Sequence, residues 1–121
     1  MGKLFGILGI GIDIVELADI RNARFKERFA EYFLTGKEMK RVPKGSKKIE
    51  FLASRFAVKE AVIKAFPEKL KPHDFSIQKK GTHPHIVFSL KKNELLYTVH
   101  LSLSHTAHVA VATAIVLARK G

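Results

Sequence analysis

Apolar and polar positions divide the chain into distinct elements. Residues 4–15, LFGILGIGIDIV, are apolar and β-branched, with glycine as the only interruption before Asp13. So little alternation predicts a strand covered on both faces. Residues 16–34 space their apolar positions at helical intervals and predict two short helices or one bent one. Thr35, followed three residues later by Glu38, predicts a capping box at the head of a short helix running to about Arg41. After the loop VPKGSKK, Ser46 is expected to cap a long helix that continues to Phe66, where Pro67 ends it. A basic, proline-containing connection over 68–74 leads to four strands: FSIQKK, HIVFSL, LYTVHLSLSH and HVAVATAIVLA. The last is rich in alanine, but its β-branched content and the turn-like SHTAH before it assign it to a strand. The order β-α-α-α-β-β-β-β predicts an α+β fold in a single domain, residues 1–121.

The long helix carries charges in unusual places. At 100° per residue from Leu52, Phe56 falls at about 40°, Ile63 at about 20° and Phe66 at about 320°. Lys59, at about 340°, lies inside that apolar stripe, Glu60 follows at about 80° between Ile49 and Ala53, and Lys64 at about 120° between Ala53 and Ala57. A surface helix keeps its charges on the face opposite its apolar stripe.

Composition narrows the setting. Lys and Arg number 22 against 11 Asp and Glu, and the resulting +11 favours an acidic partner, whether nucleic acid, anionic surface, polyphosphate or acidic protein. Without cysteine there is no disulfide framework, thiolate nucleophile or thiolate metal site, which suits a cytoplasmic protein. Lys3 ahead of an apolar run imitates a signal peptide, but Asp13 and Glu16 follow without a small-residue cleavage pattern. No apolar run reaches membrane-spanning length.

Four constellations are candidates for chemistry. Asp13 ends an apolar strand, where an unpaired carboxylate is costly; it either marks the strand end or is paired or metal-bound. Glu60 either pairs with Lys64 one turn on, or joins Asp13 around Mg²⁺, a cation that fills its remaining positions with water and substrate phosphate. Lys59 either snorkels or serves an anion from within the helix. Ser104 and His105, where a strand meets a turn, offer donors to a phosphate; as adjacent strand residues they make a poor nucleophile–base pair. The spacings His83/His85 and His105/His108 lack a third ligand and read as loop or surface histidines. Basic residues interleaved with Phe25, Phe29, Tyr32 and Phe33 imitate a nucleic-acid face but carry no nucleic-acid motif, so no nucleic-acid partner is expected.

In combination, GIGIDIVEL (9–17), FLASRFAVKEAVIKAF (51–66) and LSLSHTAHVAVATAIV (101–116) resemble the three motifs of the holo-acyl-carrier-protein synthase family, the short 4′-phosphopantetheinyl transferases. The middle motif is the specific one, and RFAEYFLTGKE (28–38) and the turn from Gly81 to Pro84 also have family counterparts. The resemblance implies a phosphopantetheinyl transferase-like fold, a small antiparallel sheet on a long central helix, assembled as a homotrimer with active sites between subunits. It implies Mg²⁺-dependent transfer of the phosphopantetheine arm of coenzyme A to a serine of an acidic acyl carrier protein, in fatty-acid biosynthesis. It assigns the metal to Asp13 and Glu60, the leaving phosphate to Lys64 with Lys59 neutralising charge nearby, and the coenzyme A contacts to Ser104, His105 and Pro84. Arg21, Arg24, Arg28, Phe29 and Phe56 would dock the carrier. The chain departs from the family pattern in FPEKLKPHDF after the helix and in Asp19 ahead of Ile20. The rival readings are a degenerate member that binds coenzyme A or carrier without catalysis, and a basic nucleic-acid-binding module.

Overall fold

Strand β1 (Ile7–Glu16) leads into two short helices, α1 (Leu17–Arg21) and α2 (Lys26–Phe33), in a computed structural model that describes residues 6–22 and 26–119. Helix α3 (Gly36–Met39) carries the expected capping box between Thr35 and Glu38. A 3₁₀ turn (Gly45–Lys47) precedes the long helix α4 (Lys48–Ala65), and a second (Pro72–Asp74) precedes the hairpin β2 (Phe75–Lys80) and β3 (His83–Phe88). Helix α5 (Lys91–Leu96), strand β4 (Tyr97–His105) and strand β5 (Val109–Ala118) complete the α+β fold.

Two expectations are corrected here. Ser46 does not cap α4: it lies within the 3₁₀ turn, and α4 starts without a side-chain cap. The segment KKNEL, unassigned in the sequence, forms α5 together with Leu96, expected in the next strand, and the Glu94 carboxylate accepts the Phe88 N–H as β3 ends. Pro67 does end α4: Phe66 turns to extended geometry with ψ 136°.

The main sheet is antiparallel in the order β1-β5-β4. Gly11, Ala114 and Leu101 stand in one row and Asp13, Ala112 and Leu103 in the next. These rows alternate with Ile12–Thr113–Ser102 and Ile14–Val111–Ser104, which point the other way. The first face packs on α4, with Ala110, Ala112, Ala114 and Val116 buried. The second face is bare, leaving Ile10, Ile12 and Ile14 exposed. Within one chain, the expected two-sided cover of β1 is met on one side. The strand alternates in size, glycine against isoleucine, and not in polarity, so the sequence concealed the alternation.

Small residues bring β1 and α4 close together. A Cβ on Gly9 would sit 1.8 Å from the Ala65 carbonyl oxygen, and one on Gly11 2.0 Å from that of Ala61. The alanine face of α4 meets the sheet; Ala57, Ala61 and Ala65 fall at about 140°, 180° and 220° from Leu52. The predicted stripe packs on the opposite side. Phe56 stacks with Phe29 and Phe33, and Phe66 with Phe88 and Tyr97. A helix buried on two opposite faces has only its flanks left for solvent, and Glu60 and Lys64 lie on one of them.

Candidate active site

On one flank of α4, strand β1 delivers Asp13 and the helix delivers Glu60 to a groove of about 370 Å³. Glu16 and Asp19 add carboxylates to its lining, and Phe29 and Phe56 form an aromatic wall with centroids 5.2 Å apart. The Lys64 Nζ donates to Asp13 Oδ1 at 3.1 Å and to the Ile12 carbonyl at 3.0 Å. Burial, and next the charge of Asp13, hold the Glu60 carboxyl above the usual carboxylate range, with Lys64 opposing. Two hard oxygen donors whose charges conflict suit a divalent cation. Among the described residues no trio of His, Cys, Asp or Glu forms a ligand set, so such a cation would complete its shell with water and substrate oxygens.

Lys59 lies elsewhere, and its expected contact with phosphate is corrected. The residue is fully buried on the face of α4 away from the sheet. Its ammonium donates to the Pro72 carbonyl at 2.6 Å and to the Phe75 carbonyl, and pairs with Glu38 Oε1 at 2.8 Å. Three partners use its three protons, leaving none for a ligand. Burial pulls its pKa down while Glu38 supports the charged form. The lysine neither snorkels nor faces the groove; the contacts that hold it come from segments distant in sequence.

The other flank of α4 faces a second groove, of about 250 Å³, lined by Lys47, Ser54, Arg55, Lys79 and His105. Arg55 is buried, its guanidinium lies 4.5 Å from the Phe51 ring centroid, and its Nε has no hydrogen-bond partner. His105 Nε2 lies 3.4 Å from Glu50 Oε1. Lys47, Lys79 and the unsatisfied Arg55 N–H suit an anion such as a phosphate group, with the Glu50 carboxylate the one opposing charge in the lining. The sequence reading missed Lys47, Arg55 and Lys79 because they come from three separate elements.

Ser104 and His105 are not brought together. His105 shares the α4-facing row with Ala110, whereas Ser104 pairs with Val111 on the isoleucine face. Pro84 stands across the hairpin from Lys79, beside the second groove. Phe29 and Phe56, expected at the carrier interface, form the wall of the carboxylate groove. Arg21 and Arg28 are exposed on α1 and α2. Arg24 lies outside the described residues. Among the described residues no helix is long and apolar enough to cross a membrane.

Strand and helix carboxylates stand on one flank of α4 and a cluster of cations on the other, a chemistry that suits a metal-bound polyphosphate ligand. Residues 9–114 match the 4′-phosphopantetheinyl transferase superfamily, and the chain belongs to it. It is 43% identical over 118 residues to a holo-[acyl-carrier-protein] synthase of Listeria innocua, covering 91% of this chain and 98% of that one. The fold matches a holo-(acyl-carrier-protein) synthase of Bacillus anthracis in complex with CoA (3′,5′-ADP), with TM-score 0.79, 34% identity and cover of 93% and 98%. It also matches the Helicobacter pylori holo-[acyl-carrier-protein] synthase in complex with coenzyme A, with TM-score 0.72, 33% identity and cover of 88% and 98%.

Proposed function

We propose that this chain transfers the 4′-phosphopantetheine arm of coenzyme A to a serine of an acidic apo acyl carrier protein, releasing adenosine 3′,5′-bisphosphate. The observation that carries the reading is the convergence of Asp13, Glu60 and Lys64 beside the Phe29–Phe56 wall, in a chain of this family. Attack on a pyrophosphate calls for charge neutralisation and alignment more than covalent help. The groove's carboxylates would supply the first through a held cation, with Lys64 beside them, and the nucleophile belongs to the carrier.

Asp13 and Glu60 would hold Mg²⁺, which when bound neutralises the pyrophosphate oxygens. Lys64 lies against Asp13, so its ammonium is within a side-chain rotation of a phosphate held there and stabilises the departing charge. Phe29 and Phe56 exclude water from one side of the groove. Arg55, Lys47 and His105 take the phosphate of the adenosine end, with Lys79 and Pro84 beside them. The +11 charge, with Arg21 and Arg28 exposed near the first groove, steers the acidic carrier to its serine's target.

Two features support assembly as a homotrimer. Ile10, Ile12 and Ile14 form an uncovered apolar ridge on the sheet. The two grooves lie on opposite flanks of α4 and share no lining residue, so one ligand reaches both kinds of site most directly across a subunit boundary. Ser104, on the isoleucine face, then meets the ligand of the neighbouring copy. The lack of cysteine suits the reducing cytoplasm, where we place the reaction.

The test is incubation with coenzyme A, Mg²⁺ and apo acyl carrier protein, followed by mass spectrometry of the carrier. One added phosphopantetheine is expected. No mass gain with any cognate carrier overturns the proposal, and tight coenzyme A binding without transfer leaves a binder in place of an enzyme.

A further inference from the structure

The Glu38–Lys59 ion pair joins several separate segments of the molecule. Both side chains are buried, at 1% and 0% exposure. Glu38 Oε1 accepts the Thr35 N–H at 2.9 Å as well as facing Lys59, and Oε2 accepts the Ile77 N–H at 2.8 Å. Lys59 reaches the carbonyls of Pro72 and Phe75, and its ammonium lies 4.4 Å from the Phe75 ring centroid. One pair thus ties α4 to α3, to the segment after Pro67 and to the first residues of β2.

The position of this pair on the helix gives it a consequence for the groove. On the sheet side, α4 rests through alanines on glycines, a contact that sets its distance from β1 but carries no directional polar bond of its own. On the far side, Lys59 is bonded in a fixed direction to three acceptors. Glu60 is the next residue, about 100° around the helix. A helix rotation of about 20° would move its carboxylate roughly 2 Å, enough to separate it from Asp13.

We infer that Glu38 and Lys59 are positioning residues: their buried ion pair fixes the rotation of α4 and thereby aims Glu60 at Asp13. The inference rests on the assignment of Asp13 and Glu60 to a cation. It gives FPEKLKPHDF a role as well, since the carbonyls of Pro72 and Phe75 are the fixed points that the lysine grips.

The test is Lys59→Met, which keeps the stem and removes the ammonium, alongside Lys59→Arg and Glu38→Gln. Each is assayed below its own melting temperature, with folding checked by circular dichroism. Mn²⁺ binding is read by electron paramagnetic resonance, and kcat and the KM for coenzyme A are measured separately. Folded Lys59→Met is expected to bind Mn²⁺ roughly 10- to 100-fold more weakly, the range for residues that orient metal ligands. Its kcat should fall while the KM for coenzyme A, set by the second groove, changes less than about threefold. Lys59→Arg should restore part of the Mn²⁺ affinity. Glu38→Gln should reproduce the loss and supplies the same measurement where Lys59→Met does not fold. Wild-type Mn²⁺ affinity in a folded but less stable variant overturns the inference by making the pair structural only. A raised KM for coenzyme A with unchanged Mn²⁺ affinity overturns it by returning Lys59 to the substrate. Failure of the underlying metal assignment shows separately, as Mn²⁺ binding by the wild type that Glu60→Gln leaves unchanged.

Discussion

Gly11 lies so close beneath Ala61 that a β-carbon on the glycine would sit 2.0 Å from the alanine's carbonyl oxygen. Backbone atoms cannot yield as a flexible side chain does, so Gly11→Ala must push α4 away from β1. We expect a stability loss of about 1–3 kcal/mol in urea unfolding, as for an overpacked core. Turnover should fall further than stability explains, because the same shift separates Asp13 from Glu60. Full activity in Gly11→Ala would show that the two carboxylates need not stand at this spacing.

Glu60 makes a prediction about pH. Its carboxyl binds a proton more tightly folded than unfolded, through burial first and Asp13 second. Stability is therefore lost as pH rises through the unfolded and then the folded pKa. With chelator present, Glu60→Gln should melt at a higher temperature than wild type at neutral pH. The difference should vanish as pH falls below the ordinary glutamate range, about 4.3. Thermal melts across pH measure this, and an unchanged or lower melting temperature for the variant at pH 7 contradicts the charge conflict. Added Mg²⁺ should raise the wild type's melting temperature and leave the variant's largely unmoved.

The second groove predicts a selective defect. His105→Ala and Lys47→Met should raise the KM for coenzyme A by about tenfold, or roughly 1.4 kcal/mol. The KM for 3′-dephospho-coenzyme A should stay close to wild type. Equal losses on both substrates would remove the phosphate from this groove.

The bare isoleucines predict association. Ile12→Asp puts a charge at the centre of the ridge formed with Ile10 and Ile14, away from α4. Sedimentation should report a trimer for wild type and a smaller species for the variant, with circular dichroism retained. A variant that sediments like wild type would move the interface elsewhere.

The Thr35 cap gives a fifth check. Its hydroxyl accepts the Glu38 N–H at 3.3 Å and lies 2.8 Å from the Ser76 hydroxyl. Thr35→Ala should cost about 0.5–2 kcal/mol in denaturant unfolding.

What the sequence disclosed was local. The Thr35–Glu38 box, the stop at Pro67 and the final strand each depend on residues a few positions apart, and each stands as read. The partner of Lys59 was not legible, because Glu38, Pro72 and Phe75 meet it only in the folded chain. Nor was the sheet-facing side of α4, since alanines look neutral until the glycines opposite them are known. Ser104 and His105 show a missed inference of another kind. Adjacent strand residues point to opposite faces, a rule that weighed against a Ser–His nucleophile and bears equally on a shared phosphate contact.

Strand β1 keeps two surfaces apart by parity alone. Its odd positions, Gly9, Gly11 and Asp13, face the helix, and its even positions, Ile10, Ile12 and Ile14, face outward. Deleting or inserting one residue between Gly6 and Asp13 would exchange the two sets. A carboxylate would land on the bare ridge, and isoleucines would press into a space that does not admit even a methyl group. The strand's reading frame is thus as restrictive as its composition, and substitutions there should be far better tolerated than any single-residue change in length.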